Sequence, residues 1–139
     1  MRRDTWGHSL HGTLHHVELW VPDFGRAESS LGWLLGELGY VAEQRWENGC
    51  SLRLGPTYLV IEQSPALSSD RHDRLAPGLN HLAFHVEDAA AMERLVERAA
   101  GHGWRLMFPE RHPYAGGDGH CAAYLEDGDG FEVELVASG

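Results

Sequence analysis

Two histidines and two glutamates recur in this chain at places where they can act together. His16 and His81 stand third in two copies of one pattern, L-x-H-Φ-x-Φ-x-V-x-D with Φ apolar. The copies are Leu14-His15-His16-Val17-Glu18-Leu19-Trp20-Val21-Pro22-Asp23 and Leu79-Asn80-His81-Leu82-Ala83-Phe84-His85-Val86-Glu87-Asp88, 65 residues apart. Gly39-Tyr40 answers Gly103-Trp104 at 64 residues, and Glu62 answers Glu134 at 72. Each glutamate stands near the C-terminal end of an otherwise apolar run. Two imidazoles and two carboxylates make an N₂O₂ donor set, which suits one divalent ion: Zn, Ni, Co, Mn or Fe. Such a set leaves room for water or a bidentate substrate, as a catalytic site requires.

The elements that must carry these groups read the same way in both copies. The opening segment alternates, so it is a strand with two faces. Val17, Leu19 and Val21 share one face, as do Leu82, Phe84 and Val86. His16, Glu18 and Trp20 share the other, with His81, Ala83 and His85 as their equivalents. A helix follows, capped by Asp23 in copy one and by Asp88 in copy two. Their apolar stripes are Ala27, Leu31, Leu34 and Leu35, and Met92, Leu95, Val96 and Ala99. Glycines end both helices, and three short strands close each copy.

The predicted fold class is therefore α+β. Two tandem βαβββ modules form a cupped, barrel-like mixed sheet with a polar lining and the helices outside. Module one spans 13–64, a polar linker 65–78 and module two 79–137; residues 1–12 form a polar tail.

Other residues share the polar faces. Glu18, Trp20 and His85 lie on the first-strand face and Glu132 lies two residues before Glu134. His120 belongs to the Gly-rich segment His112-Pro113-Tyr114-Ala115-Gly116-Gly117-Asp118-Gly119-His120, readable as a lid or as a plain hairpin loop. These five are the predicted substrate pocket. Each assignment has an ordinary competitor. A lone histidine is more often a satisfied structural residue, and a one-residue slip would turn Glu62 outward and bring Gln63 in.

Composition bounds the rest. The formal charge of −10 argues against nucleic acid and anionic membrane surfaces. No apolar run is long enough to span a bilayer, and no apolar segment follows Met1-Arg2-Arg3 as a secretion signal would require. The expected compartment is the cytoplasm. Two cysteines without metal-site spacing read as core residues.

The openings above, the helix end Leu34-Leu35-Gly36-Glu37-Leu38-Gly39-Tyr40 and the close Asp127-Gly128-Asp129-Gly130-Phe131-Glu132-Val133-Glu134-Leu135 resemble the vicinal-oxygen-chelate superfamily. That superfamily includes glyoxalase I, methylmalonyl-CoA epimerase, fosfomycin-resistance transferases, extradiol dioxygenases and bleomycin-binding proteins. The likeness covers about residues 13–137, with Gly128 where proline is usual. It implies His16, Glu62, His81 and Glu134 as metal ligands, and a homodimer. A carboxylate at Glu62 leans toward a glyoxalase- or epimerase-type isomerase or lyase of a small molecule. In that chemistry the metal polarises two vicinal oxygens and stabilises an enediolate, and Glu134 or Glu62 moves the proton. The alternatives are an Fe(II) extradiol-type dioxygenase and a metal-free drug-binding resistance protein. No glutathione site is recognisable.

Overall fold

A computed structural model describes residues 9–138; most of the tail assigned to 1–12 lies outside the described residues. Module one runs β1 (His16–Trp20), α1 (Phe24–Ala27), a π-helical turn (Glu28–Gly32), α2 (Trp33–Glu37), β2 (Val41–Trp46), β3 (Gly49–Leu54) and β4 (Thr57–Glu62). Module two runs β5 (Leu82–Val86), α3 (Ala89–Ala99), a 3₁₀ turn (Ala100–His102), β6 (Trp104–Leu106), β7 (Ala122–Asp127) and β8 (Glu132–Ala137).

The cupped sheet is realised as two four-stranded sheets, ordered β1-β4-β3-β2 and β5-β8-β7-β6. In each, the first strand runs parallel to the last and the remaining pairs are antiparallel. A helical crossover makes that parallel pairing possible.

Local chemistry explains the helices. Asp23 accepts from the Arg26 amide and Asp88 from the Ala91 amide, both at 2.8 Å, so both helices start on the residue the repeat assigns. The first helix is not α-helical throughout. Ser29 and Ser30 donate to the carbonyls of Gly25 and Arg26 within the widened turn. Such back-bonding competes with the regular helix ladder. The stripe survives: Ala27, Leu31, Leu34 and Leu35 are all buried. Gly39 and Gly103, at φ of 97° and 87°, reverse the chain beyond each helix where a Cβ would strain. The second strand of module two, β6, ends early at Leu106, and Phe108 just beyond it takes a φ of 53° and turns the chain aside.

The modules meet through their helical sides. The Trp104 indole donates to the Ser30 carbonyl at 3.1 Å, and the rings of Trp33 and His102 stack at 3.9 Å. Arg26 grips Asp129 through Nε and Nη2 at 3.0 and 2.7 Å. One apolar cluster runs through both modules, from Leu19 and Leu34 to Met92 and Leu135. Burying each such leucine contributes about 1.5–3 kcal/mol.

Candidate metal centre

Strand register decides which polar groups meet. On β8, Glu132 and Glu134 share the face opposite the core, and Glu134 lies across from Ala83 of β5. His81 immediately precedes β5, so only one strand step of about 7 Å separates its level from that of Glu134. Their side chains close the gap. His81 Nε2 stands 3.1 Å from Glu134 Oε1, and His120 Nε2 stands 2.5 Å from Glu134 Oε2. The Tyr124 hydroxyl, on the neighbouring strand β7, also hydrogen-bonds Glu134.

Asn80 fixes the state of His81. Its Nδ2 donates to the Arg74 carbonyl at 3.0 Å, which points its Oδ1 at His81 Nδ1, 2.6 Å away. The network therefore assigns the Nδ1 proton to that bond. A neutral His81 then offers a lone pair at Nε2, facing a carboxylate oxygen. Lone pair and carboxylate need a positive centre between them, a proton or a cation. An imidazole pinned at Nδ1, with Nε2 aimed at a carboxylate, is set to ligate a metal once Nε2 gives up its proton, so His81 and Glu134 fit as two ligands of a divalent ion.

Burial alone would push the Glu134 carboxyl up. Hydrogen bonds from His120 and His81, with their charge, outweigh it and hold the group below the ordinary carboxylate range. The nearby arginines are spent elsewhere: Arg74 contacts Glu126 at 3.2 Å and Glu132 at 3.4 Å, and Arg105 also binds Glu126. Buried Glu132 stands 3.8 Å from His81 Nδ1, beside the imidazole. Glu134 is left to imidazoles and a phenol.

The face of module one is built differently. His16 lies across from Tyr58, and their rings stack at 4.7 Å. The Arg53 guanidinium covers the Tyr58 ring at 5.0 Å. Glu62 lies across from Trp20, four pairs further along the strand than His16. It points to the open face, because its neighbour Gln63 points the other way and accepts from the Phe24 amide at 2.9 Å. The Trp46 indole donates to Glu62 Oε1 at 3.1 Å, and the Trp20 indole to Glu18 Oε2 at 2.6 Å. Gly49 makes the first bond possible: a Cβ there would lie 2.4 Å from Trp46 Nε1. Glu18, Trp46, Tyr58 and Glu62 line a cavity of about 380 Å³.

The two registers superimpose, with His16 on His81, Tyr58 on Glu132 and Val60 on Glu134. Glu62 then falls on Val136, so strand pairing places Val60 at the position that mirrors Glu134.

One chain therefore gathers His81, Glu134, His120 and Glu132. Among the described residues no contact joins His16 or Glu62 to that group, and no cluster of three or more His, Cys, Asp or Glu is arranged to hold a metal ion. Trp20 contacts Glu18 and is partly exposed. His85 borders a depression beside Glu37, Arg94 and Arg98, away from Glu134. Asn80, Tyr124, Arg74 and Trp46 escaped the sequence reading. Alternation along β7 would have placed Tyr124 beside Glu134, whereas the roles of Arg74 and Asn80 depend on how the linker folds back.

The family model for the glyoxalase/bleomycin resistance protein/dioxygenase superfamily matches residues 15–124. The chain belongs to that superfamily. It is 44% identical over 126 residues to the uncharacterized protein YqjT of Bacillus subtilis, covering 89% of this chain and 98% of that protein. A crystal structure from Bacillus halodurans, named for the glyoxalases, shares 38% identity with a TM-score of 0.88, over 93% of this chain and 98% of that one. The superfamily fold extends to lactoylglutathione lyase from Agrobacterium tumefaciens, at 18% identity and a TM-score of 0.62 over 90% and 92% of the two chains. It extends equally to FosX from Listeria monocytogenes, a fosfomycin resistance protein crystallised with Mn(II), at 18% and 0.62 over 92% and 91%. Among the described residues no helix is long and apolar enough to cross a membrane.

Proposed function

We propose that this superfamily member is a metal-dependent lyase or isomerase that moves a proton beside a carbonyl of a small molecule. The observation that carries the reading is the pairing of Glu134 with a His81 whose Nδ1 is pinned and whose Nε2 faces the carboxylate. His81 and Glu134 would hold one divalent ion together with His16 of a second copy. A homodimer is the arrangement that fits, because among the described residues His16 contacts Tyr58 and His15 and makes no contact with His81 or Glu134 of its own chain. A bound divalent ion supplies Lewis acidity toward two adjacent substrate oxygens.

The chain's own residues do the rest. Glu62, set apart from the position that mirrors Glu134, is free to serve as general base. Trp46 steadies its Oε1, and among the described residues its Oε2 meets no donor. That oxygen is the one to receive a proton from a substrate carbon. Tyr58 and Arg53 wall the same cavity and orient the substrate.

A second reading rests on Val60. A set of two histidines and one carboxylate, with open positions, is also that of non-haem Fe(II) oxygenases. Metal analysis of protein purified without tag or chelator separates the two. Near-stoichiometric Zn, Ni, Co or Mn, absent in His81→Ala and Glu134→Ala, supports the lyase or isomerase. Iron with oxygen uptake on catechols supports the oxygenase. Protein that stays empty after reconstitution contradicts both and favours a metal-free ligand-binding role.

A further inference from the structure

We infer that His120 is a positioning residue for Glu134, delivered by the module-two loop to hold one carboxylate oxygen so that the other is presented toward His81. The inference rests on reading Glu134 as a metal ligand and goes beyond it, because it assigns the two oxygens different tasks. His120 Nε2 donates to Oε2 at 2.5 Å, while Oε1 lies 3.1 Å from His81 Nε2. Without the first bond only His81 and the Tyr124 hydroxyl restrain the carboxylate's last torsion, and either oxygen can turn toward the site. With it, rotation is fixed before any ligand arrives, as outer hydrogen bonds do for metal-ligating groups.

Three features show that the loop is built for this contact. First, the loop is pinned on both sides of the histidine: the His120 amide donates to the Gly117 carbonyl at 3.2 Å and the Ala122 amide to the Pro113 carbonyl at 2.9 Å. Second, Gly116 passes so close that a Cβ would lie 2.3 Å from the Tyr124 hydroxyl and 2.8 Å from His120 Cδ2. Third, module one has neither part. Glu47 and Asn48 alone separate β2 from β3, and Val60 stands where the carboxylate would be. Loop and carboxylate occur together in one module and are absent together from the other. The His120 side chain is 43% exposed, so its role is not to fill the core.

The test is calorimetric titration of full-length wild type and variants with Mn(II) and Zn(II), beside thermal melts. His120→Ala should bind metal about 10–100-fold more weakly with the fold intact. Gly116→Ala, which keeps the histidine but displaces it, should weaken binding in the same direction. His120→Gln, which restores an N–H donor, should recover most of the loss, and Tyr114→Ala, on the same loop, should bind like wild type. Wild-type affinity or tighter binding in His120→Ala would overturn the inference while leaving Glu134 as a ligand. Wild-type protein that binds neither metal would overturn the ligand reading itself, and the inference with it.

Discussion

The two modules share a backbone plan and differ in where they put charge. His16 and His81 occupy the same register position, and Asp23 and Asp88 cap the same helix. Opposite the histidines the modules part. Module two carries Glu132 and Glu134 there, surrounded by His120, Tyr124 and Arg74; module one carries Tyr58 and Val60, and its carboxylate comes later as Glu62. Duplication has kept the framework and one imidazole per copy while the acidic groups have diverged. On the proposed reading module two supplies most of the metal ligands, while module one offers a cavity lined by Glu62, Trp46 and Tyr58.

The largest contrast should come from mirrored substitutions. Glu134→Ala should abolish metal retention, a loss of at least about 100-fold in affinity, since it removes a ligand rather than a neighbour. Val60→Ala at the mirror position should leave affinity unchanged and cost about 1–3 kcal/mol of stability, because Val60 is buried. Parallel metal titrations and denaturant melts read both; equal metal loss in the two variants would erase the distinction between the modules.

A smaller contrast lies in the last hairpins. Burial pushes the Asp127 carboxyl up from 3.8 to about 6, although the amides of Phe131 and Asp129 oppose the shift. Between about pH 4 and 6 the folded chain therefore holds more protons at this site than the unfolded one. Its contribution to stability is greatest below about pH 4 and declines as pH rises through 6, by up to about 3 kcal/mol. Asp127→Asn keeps the acceptor oxygen and should flatten that part of the pH–stability curve. The module-one turn at Gly55-Pro56 has no such carboxylate, so no matching effect arises there. The smallest effect concerns what the modules share: Asp23→Ala and Asp88→Ala should each cost about 1 kcal/mol, and a several-fold inequality in melts would show that the two caps are not equivalent.

Much of this plan was legible in the sequence because it rests on periodicity. Alternation placed Val17, Leu19 and Val21 inward, and 3.6-residue spacing found Met92, Leu95 and Ala99. Glycine positions ended both helices correctly. The sequence matched Glu62 with Glu134, since both stand near the end of an apolar strand. Strand pairing instead places Glu62 level with Val136, and spacing counted along one chain cannot show which residue of a neighbouring strand lies opposite. The partners of His81 were hidden for a related reason. Asn80 and Arg74 act through a linker whose path depends on tertiary contacts, and Trp46 reaches Glu62 only because Gly49 lets its indole lie flat.

The central claim is that one site needs module one of one copy and module two of another. Mixing purified His16→Ala and Glu134→Ala proteins after mild dissociation tests it directly, with metal binding and turnover read before and after exchange. Each variant alone should be inactive. Random reassociation gives half heterodimers with one intact site in two, so about a quarter of wild-type capacity should return. Recovery near that level is the predicted result; complete absence of recovery, with heterodimers demonstrably formed, would contradict the shared site.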